Sequence, residues 1–523
     1  MTTMKKLFAL MLAVMMLLSV CMVAVAENGT DENTSSTYTI TIDNSDEDHT
    51  YKAYQIFTGD LSGNVLSNVE LGSGVGTGFL PCTLDGKEYT DAASLAQALT
   101  NDNLDAFIEH VNNHLATAEN STWNADESKH QIAALEPGYY LIMDDSVPAG
   151  EAYTKFMVKV VKDITASPKT DKPTHEKKVN EDDKPADDPM KGAHGENYND
   201  VADYCIGDTI PFALYSKVPD LEHFTHYEMI FHDKMSNGLS FDTGSVQVTI
   251  GGQQLSAEKD EYTVVTTTDD DCTFHVEINE LVGKNYAKGA EIRVDFTATL
   301  NSDAEIGLPG NTNTSFLEFS NNPNNTTDTT NTVEDEVVVF TYELDITKVD
   351  GADEAKTLAN AEFVLQNAEN KYATVDSNGK ITGWVPTKEA ASTLKSDENG
   401  QIKVIGLDDG TYSLTETKAP EGYNLLAAPI KIDIEATTVN NQEYKSIAAD
   451  ALTNLTIKVG EGAAEQAGDL DTGSVSATVE NNQGATLPET GGIGTTIFYV
   501  AGGMLVLLAV VLLVTKRRMG ENN

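Results

Sequence analysis

The feature that most constrains this fold is a period of two. Short runs at residues 37–42, 156–161, 245–250, 291–300 and 337–346 alternate apolar and polar residues, and clusters of Gly, Asn, Asp and Thr separate them. Alternate residues of a strand share one face, so each run reads as a half-buried strand bounded by turns. Their recurrence predicts an all-β chain of tandem sandwich domains. One stretch departs from this. Within 91–118, Leu95, Leu99, Phe107, Val111 and Leu115 recur at helical spacing, which predicts a helical insertion packed on the first sandwich.

Composition shifts mark the joints. Residues 165–191 are rich in Pro, Lys and Asp, and 321–336 form a polar run of Asn, Thr and Asp. These linkers predict sandwich domains at 27–168, 169–338 and 339–486. The first and third share a repeat: Gly138-x-Tyr140-x-Ile142-x-Asp144 followed by Pro148-x-Gly150, and Gly410-x-Tyr412-x-Leu414-x-Glu416 followed by Pro420-x-Gly422. The equal offsets predict two related domains.

The two ends are processing segments. Lys5 and Lys6 precede an apolar run closed by Ala24-Val25-Ala26, which reads as a signal peptide over residues 1–26. Residues 487–523 contain Leu487-Pro488-Glu489-Thr490-Gly491-Gly492, an apolar span at 497–514 and the cluster Lys516-Arg517-Arg518. The span is long enough to approach a bilayer core, and the basic cluster holds the tail on the cytoplasmic side. The six residues before it resemble the LPXTG sorting signal. That resemblance implies cleavage by a sortase between Thr490 and Gly491 and transfer of the Thr490 carbonyl to an amine, so that the membrane helix is a temporary tether.

With 34 basic against 82 acidic residues the formal charge is −48, which excludes nucleic acid and anionic lipid as partners. Signal-peptide removal leaves Cys82, Cys205 and Cys272, too few for a disulfide framework. Cys205 and Cys272 are left open as a pair or as buried thiols. No zinc spacing, Gly-x-Ser-x-Gly elbow or phosphate loop occurs, and the ten histidines form no ligand pattern, so no enzyme active site, cofactor or metal is expected. His110 and His114, four apart on the helix, read as a solvated face.

Strand parity places unusual groups in the core. Leu344, Ile346 and Lys348 share one face; so do Tyr412, Leu414 and Glu416, and Val475, Ala477, Val479 and Asn481. Any one of these polar groups buried alone is costly. A desolvated lysine loses its proton more readily and a desolvated carboxyl keeps its own, which prepares a neutral amine to attack an amide. The product is a Lys–Asn isopeptide bond with ammonia leaving.

Here the chain resembles the LPXTG-anchored backbone pilins of Gram-positive bacteria, of SpaA type, with isopeptide-forming Ig-like and CnaB-type domains. Glu416-Thr417-x-Ala419-Pro420-x-Gly422-Tyr423 is similar to the pilin E-box. The resemblance implies a Lys348–Asn481 bond catalysed by Glu416, with Asn482 the adjacent alternative. In the middle domain, Pro173-Thr174-x-x-Lys177-Lys178-Val179, Asp233-Lys234-x-x-x-Gly238-Leu239 and Phe319-Ser320-Asn321-Asn322-Pro323 resemble its isopeptide-forming counterpart. This implies Lys177–Asn321 with Asp233 as the acid, and Lys178 competes with Lys177. The first domain keeps Asp144, but its opening strand over 38–43 has no lysine, so no bond of this geometry is expected there, although Lys52 is near.

Polymerisation needs an internal nucleophile. Ile164-Thr165-Ala166-Ser167-Pro168-Lys169 partly matches the Val-x-Val-Tyr-Pro-Lys pilin motif. It implies that Lys169 attacks the Thr490 acyl-enzyme of the next subunit; Lys162 and Lys172 are competitors. The implied partners are pilus-type and housekeeping sortases, other copies of the chain, accessory pilins and peptidoglycan, with host surface ligands a further class. A monomeric wall-anchored adhesin using the same domains as a stalk is the competing expectation.

Overall fold

The computed structural model describes residues 37–100, 103–167, 172–182, 198–222, 224–323, 325–438, 448–484 and 493–520. The expected signal peptide, Lys169 and the sorting residues Leu487, Pro488, Glu489, Thr490 and Gly491 lie outside them.

The alternating runs form strands, and the strands stack as paired sheets. The first pair has four and five strands, the second seven and seven, and the third four and eight, among the described residues. Continuous apolar cores fill the spaces between them. The run at 337–346 divides. Asp335–Phe340 pairs with Asn311–Ser320 in the middle sheets, and Tyr342–Asp350 opens the third pair. The change of sheet falls at buried Thr341, just past the expected 338/339 joint, where its hydroxyl donates to the Leu407 carbonyl at 3.1 Å.

The helical stretch is two helices, Ala92–Ala98 and Leu104–Asn112. Asp91 caps the first by accepting from the Ser94 N–H at 2.8 Å. Leu99 is extended, at φ −68° and ψ 132°, and ends the helix. Leu95, Phe107, Ile108 and Val111 are buried against Ile56, Phe57 and Phe79.

In the third domain the first strand, Tyr342–Asp350, lies parallel to the last, Ser474–Asn481, with Leu344 opposite Val475 and Asp350 opposite Asn481. The opening and closing strands of that domain therefore lie side by side, with the chain entering at one end of the pair and leaving at the other. In the middle domain Glu176–Asn180 opens one sheet, while Met229–Met235 and Asn311–Ser320 pair in the other, Asp233 opposite Ser315. A helix over Ile493–Gly520 follows the third domain, and its stretch Ile497–Arg517 is long and apolar enough to cross a membrane.

Candidate functional site

The third domain brings its three expected residues together. Lys348 and Asn481 are fully buried and Glu416 is 5% exposed. The Asn481 amide nitrogen donates to Glu416 Oε2 at 3.1 Å and to the Asn424 carbonyl at 2.5 Å, and Glu416 Oε2 also accepts from the Leu426 N–H at 2.8 Å. Glu416 Oε1 and Asn481 Oδ1 have no hydrogen-bond partner. Lys348 Nζ donates to the Val479 carbonyl at 2.8 Å, the carbonyl two residues before Asn481. Burial lowers its pKa to about 8 against the pull of Glu416. Asn482 is exposed, so the period of two separates it from Asn481 as parity requires.

The middle domain brings together two of its three. Lys177 and Asp233 are fully buried and joined by a short ion pair. The rings of Phe212 and Phe296 lie 5.8 Å and 5.2 Å from Lys177 Nζ. Desolvation lowers the lysine's pKa and raises that of Asp233, each opposed by the other's charge. Both shifts favour the neutral pair. Lys178 does not compete for this acid: its ammonium pairs with Asp200 at 2.6 Å.

Asn321 does not belong to this set. Asp233 stands opposite Ser315, and Asn321 lies six residues further along that strand (321 − 315), on the order of 20 Å away. Its amide instead donates to the Glu151 carbonyl at 3.2 Å, and its own carbonyl accepts from the Tyr153 N–H at 2.8 Å, where the first and middle domains meet. The amide beside Asp233 is that of Asn313. It is fully buried, on the same face as Ser315 and diagonal to Asp233 across the strand pair. Neither its oxygen nor its nitrogen has a hydrogen-bond partner of ordinary geometry, although the amide is near enough to draw the Asp233 carboxyl toward ionisation. An unsatisfied buried amide costs about 1–3 kcal/mol, which sets this one apart from a packing residue. Sequence reasoning passed over Asn313, and the signal available was a polar residue at an inward position in mid-strand.

In the first domain the corresponding acid is occupied differently. Asp144 accepts from the Thr154 N–H and hydroxyl at 2.7 Å and 2.9 Å and pairs with buried His49 at 2.9 Å. Burial pulls the His49 pKa down, but the hydrogen bond and charge of Asp144 leave it raised. Lys52 pairs with Asp145 at 2.5 Å near the surface. Cys205 and Cys272 are free thiols, as is Cys82. Of the competitors for the linking lysine, Lys162 is exposed and Lys172 is tied to the Glu151 carboxylate.

Residues 342–446 match the family model of the SpaA prealbumin-like fold domain, and 206–323 match that of the Gram-positive pilin backbone subunit 2, a Cna-B-like domain. Residues 479–519 match the LPXTG cell wall anchor motif. The chain therefore carries a SpaA prealbumin-like segment, a Cna-B-like pilin-backbone segment and an LPXTG anchor segment, each similar to those of Gram-positive backbone pilins. The apolar helix and anchor make it a cell-wall-anchored surface protein. It is 22% identical over 370 residues to the trypsin-resistant surface T6 protein of Streptococcus pyogenes serotype M6, covering 60% of this chain. Against the fimbrial subunit type 1 of Actinomyces viscosus it is 26% identical over 360 residues, again 60% of this chain. It spans 65% and 62% of these relatives' own lengths, less than two thirds. The solved T6 backbone pilin of serotype M6 Streptococcus pyogenes shares the fold at a TM-score of 0.53 and 16% identity, over 88% of this chain and 100% of that one.

Proposed function

We propose that this pilin is the shaft subunit of a sortase-assembled covalent pilus. In this reading Lys169 of one subunit attacks the Thr490 acyl-enzyme formed on the next, and two autocatalytic Lys–Asn bonds stiffen the subunit. The observation that supports it is a sorting signal in the same chain as two buried lysine–acid–amide sets. In the third domain the lysine stands on the opening strand and the amide on the closing one.

The chemistry follows from the groups present. Neutral Lys348 Nζ attacks Cγ of Asn481, whose amide nitrogen is held by Glu416 Oε2. The new C–N bond forms as the attacking nitrogen loses a proton, which Glu416 relays to the departing nitrogen. Ammonia leaves, and Glu416 ends as it began. In the middle domain we assign the same steps to Lys177, Asp233 and Asn313 in place of Asn321. Pulling on the third domain's ends then loads a covalent bond instead of a ladder of hydrogen bonds. The proposed roles of sortase and peptidoglycan as partners follow from the anchor motif, and that of accessory pilins from the resemblance to backbone pilins.

The test is an immunoblot of boiled, detergent-treated wall extracts from cells expressing the native chain or Lys169→Ala. A high-mass ladder that collapses to monomer in the variant supports the shaft and its linking lysine. A ladder that persists moves the nucleophile to Lys162 or Lys172. Monomer alone in the wild type, with its sortases expressed, refutes polymerisation and leaves a wall-anchored adhesin.

A further inference from the structure

The histidines show no metal pattern along the sequence, yet the fold gathers two of them. His232 and His275 stand directly opposite each other on the paired strands Met229–Met235 and Phe274–Ile278. Asp270 and Cys272 come from the loop that leads into the second strand. One ligand atom from each of the four lies within 4.8 Å of the others. Asp270 Oδ2 is 3.0 Å from His232 Nδ1 and 3.1 Å from His275 Nε2, and Cys272 Sγ is 3.9 Å from His232 Nδ1.

The surroundings resemble a built site. His232 and His275 are 7% and 8% exposed. The far nitrogen of His232, Nε2, faces Glu318 Oε2 at 3.1 Å, and Glu318 Oε1 accepts from the Thr329 hydroxyl at 2.5 Å. A carboxylate on the outer ring nitrogen fixes the tautomer that leaves the inner nitrogen free to ligate, the usual support for a metal-bound histidine. The Phe316 ring stacks on His232 with centroids 4.3 Å apart and holds its plane. Asp270 is exposed and Cys272 half-buried, which leaves a route in from solvent. The loop is itself ordered: the Thr268 hydroxyl donates to the Cys272 carbonyl at 2.7 Å, and the Cys272 N–H donates to Asp270 Oδ1 at 3.0 Å.

We propose that His232, His275, Cys272 and Asp270 form a zinc-type metal site on the outer face of the middle domain. The donor set is two imidazoles, one thiolate and one carboxylate, which suits tetrahedral Zn²⁺ better than the oxygen-seeking Ca²⁺ or Mg²⁺. With metal–ligand bonds of about 2.0–2.3 Å, tetrahedral neighbours sit roughly 3.3–3.8 Å apart. Side-chain adjustments of about an ångström therefore suffice to close the site. Binding forms a Zn–S bond and releases the Cys272 thiol proton to water, with no change of oxidation state. The metal pins the loop before His275 to a sheet whose opposite face carries Asp233, in a chain whose described cysteines form no disulfide. The site is independent of the crosslinks and of polymerisation.

The experiment titrates Co²⁺ into the purified full chain in detergent, after chelator treatment, and then displaces it with Zn²⁺. One equivalent giving tetrahedral visible bands and a near-ultraviolet thiolate-to-cobalt band is expected, with loss of both on Zn²⁺ addition. Cys272→Ser removes the thiolate band and weakens binding at least tenfold, and Glu318→Gln, which touches no metal, weakens it about tenfold. Unfolding curves of the metal-free variants that match metal-free wild type establish that they fold. Absence of any thiolate band in wild type, or its survival in Cys272→Ser, overturns the assignment.

Discussion

Replacing Lys348 by Met tests the third-domain crosslink with little collateral damage. Methionine is near the lysine in length and apolar, so it fills the buried site without leaving an unpaired charge, and the Asn481–Glu416 hydrogen bond can remain. What the substitution removes is the loop constraint. From Lys348 to Asn481 the chain runs 133 residues (481 − 348), and closing a loop of that length removes about 5 kcal/mol of entropy from the unfolded chain. At this domain size that corresponds to a fall of roughly 15 °C in the unfolding temperature of the third domain. Calorimetry reads the shift, and intact-protein mass spectrometry reads its cause. The native chain is lighter than its processed sequence by one ammonia per bond, and Lys348→Met regains one of them. A native mass equal to the sequence mass, or an unchanged third-domain transition in the variant, would refute the reasoning.

Two further outcomes follow from the same geometry. Asn313→Ala abolishes the middle-domain ammonia loss whereas Asn321→Ala retains it, as peptide mapping for a Lys177-linked fragment will read; the reverse result restores Asn321. Bond formation in the third domain, followed by mass after refolding an unbonded chain, accelerates as pH rises toward 8 and levels off above it. The reactive form is the neutral amine, and a lysine whose pKa is brought from 10.5 to about 8 is neutral about 300 times more often at pH 7. A rate that is flat or falling between pH 6 and about 8 contradicts an amine nucleophile.

The third-domain set was legible because parity is all it needs. Lys348, Glu416 and Asn481 each end an inward series of apolar residues, and a period of two tells which face a residue takes. It does not tell how far along the strand it sits. Asn311, Asn313, Ser315, Leu317, Phe319 and Asn321 all share one parity, and only the pairing of Asp233 with Ser315 selects the amide within reach. That register is a long-range property, set by which strands meet. The choice of Lys177 over Lys178 had the same origin. Both are buried, and partners distant in sequence, Asp233 and Asp200, distinguish them. The histidine cluster was hidden for a like reason, since its members come from two strands and a loop. The helical stretch erred locally: periodicity ran through Leu99, but the backbone is extended there.

The most direct test of the shaft assignment is tandem mass spectrometry of protease digests of wall-released polymer. The prediction is a branched peptide in which the Thr490 carbonyl is in amide linkage with the Lys169 side chain. Thr490 found only on wall peptide, with Lys169 recovered unmodified throughout, would contradict it.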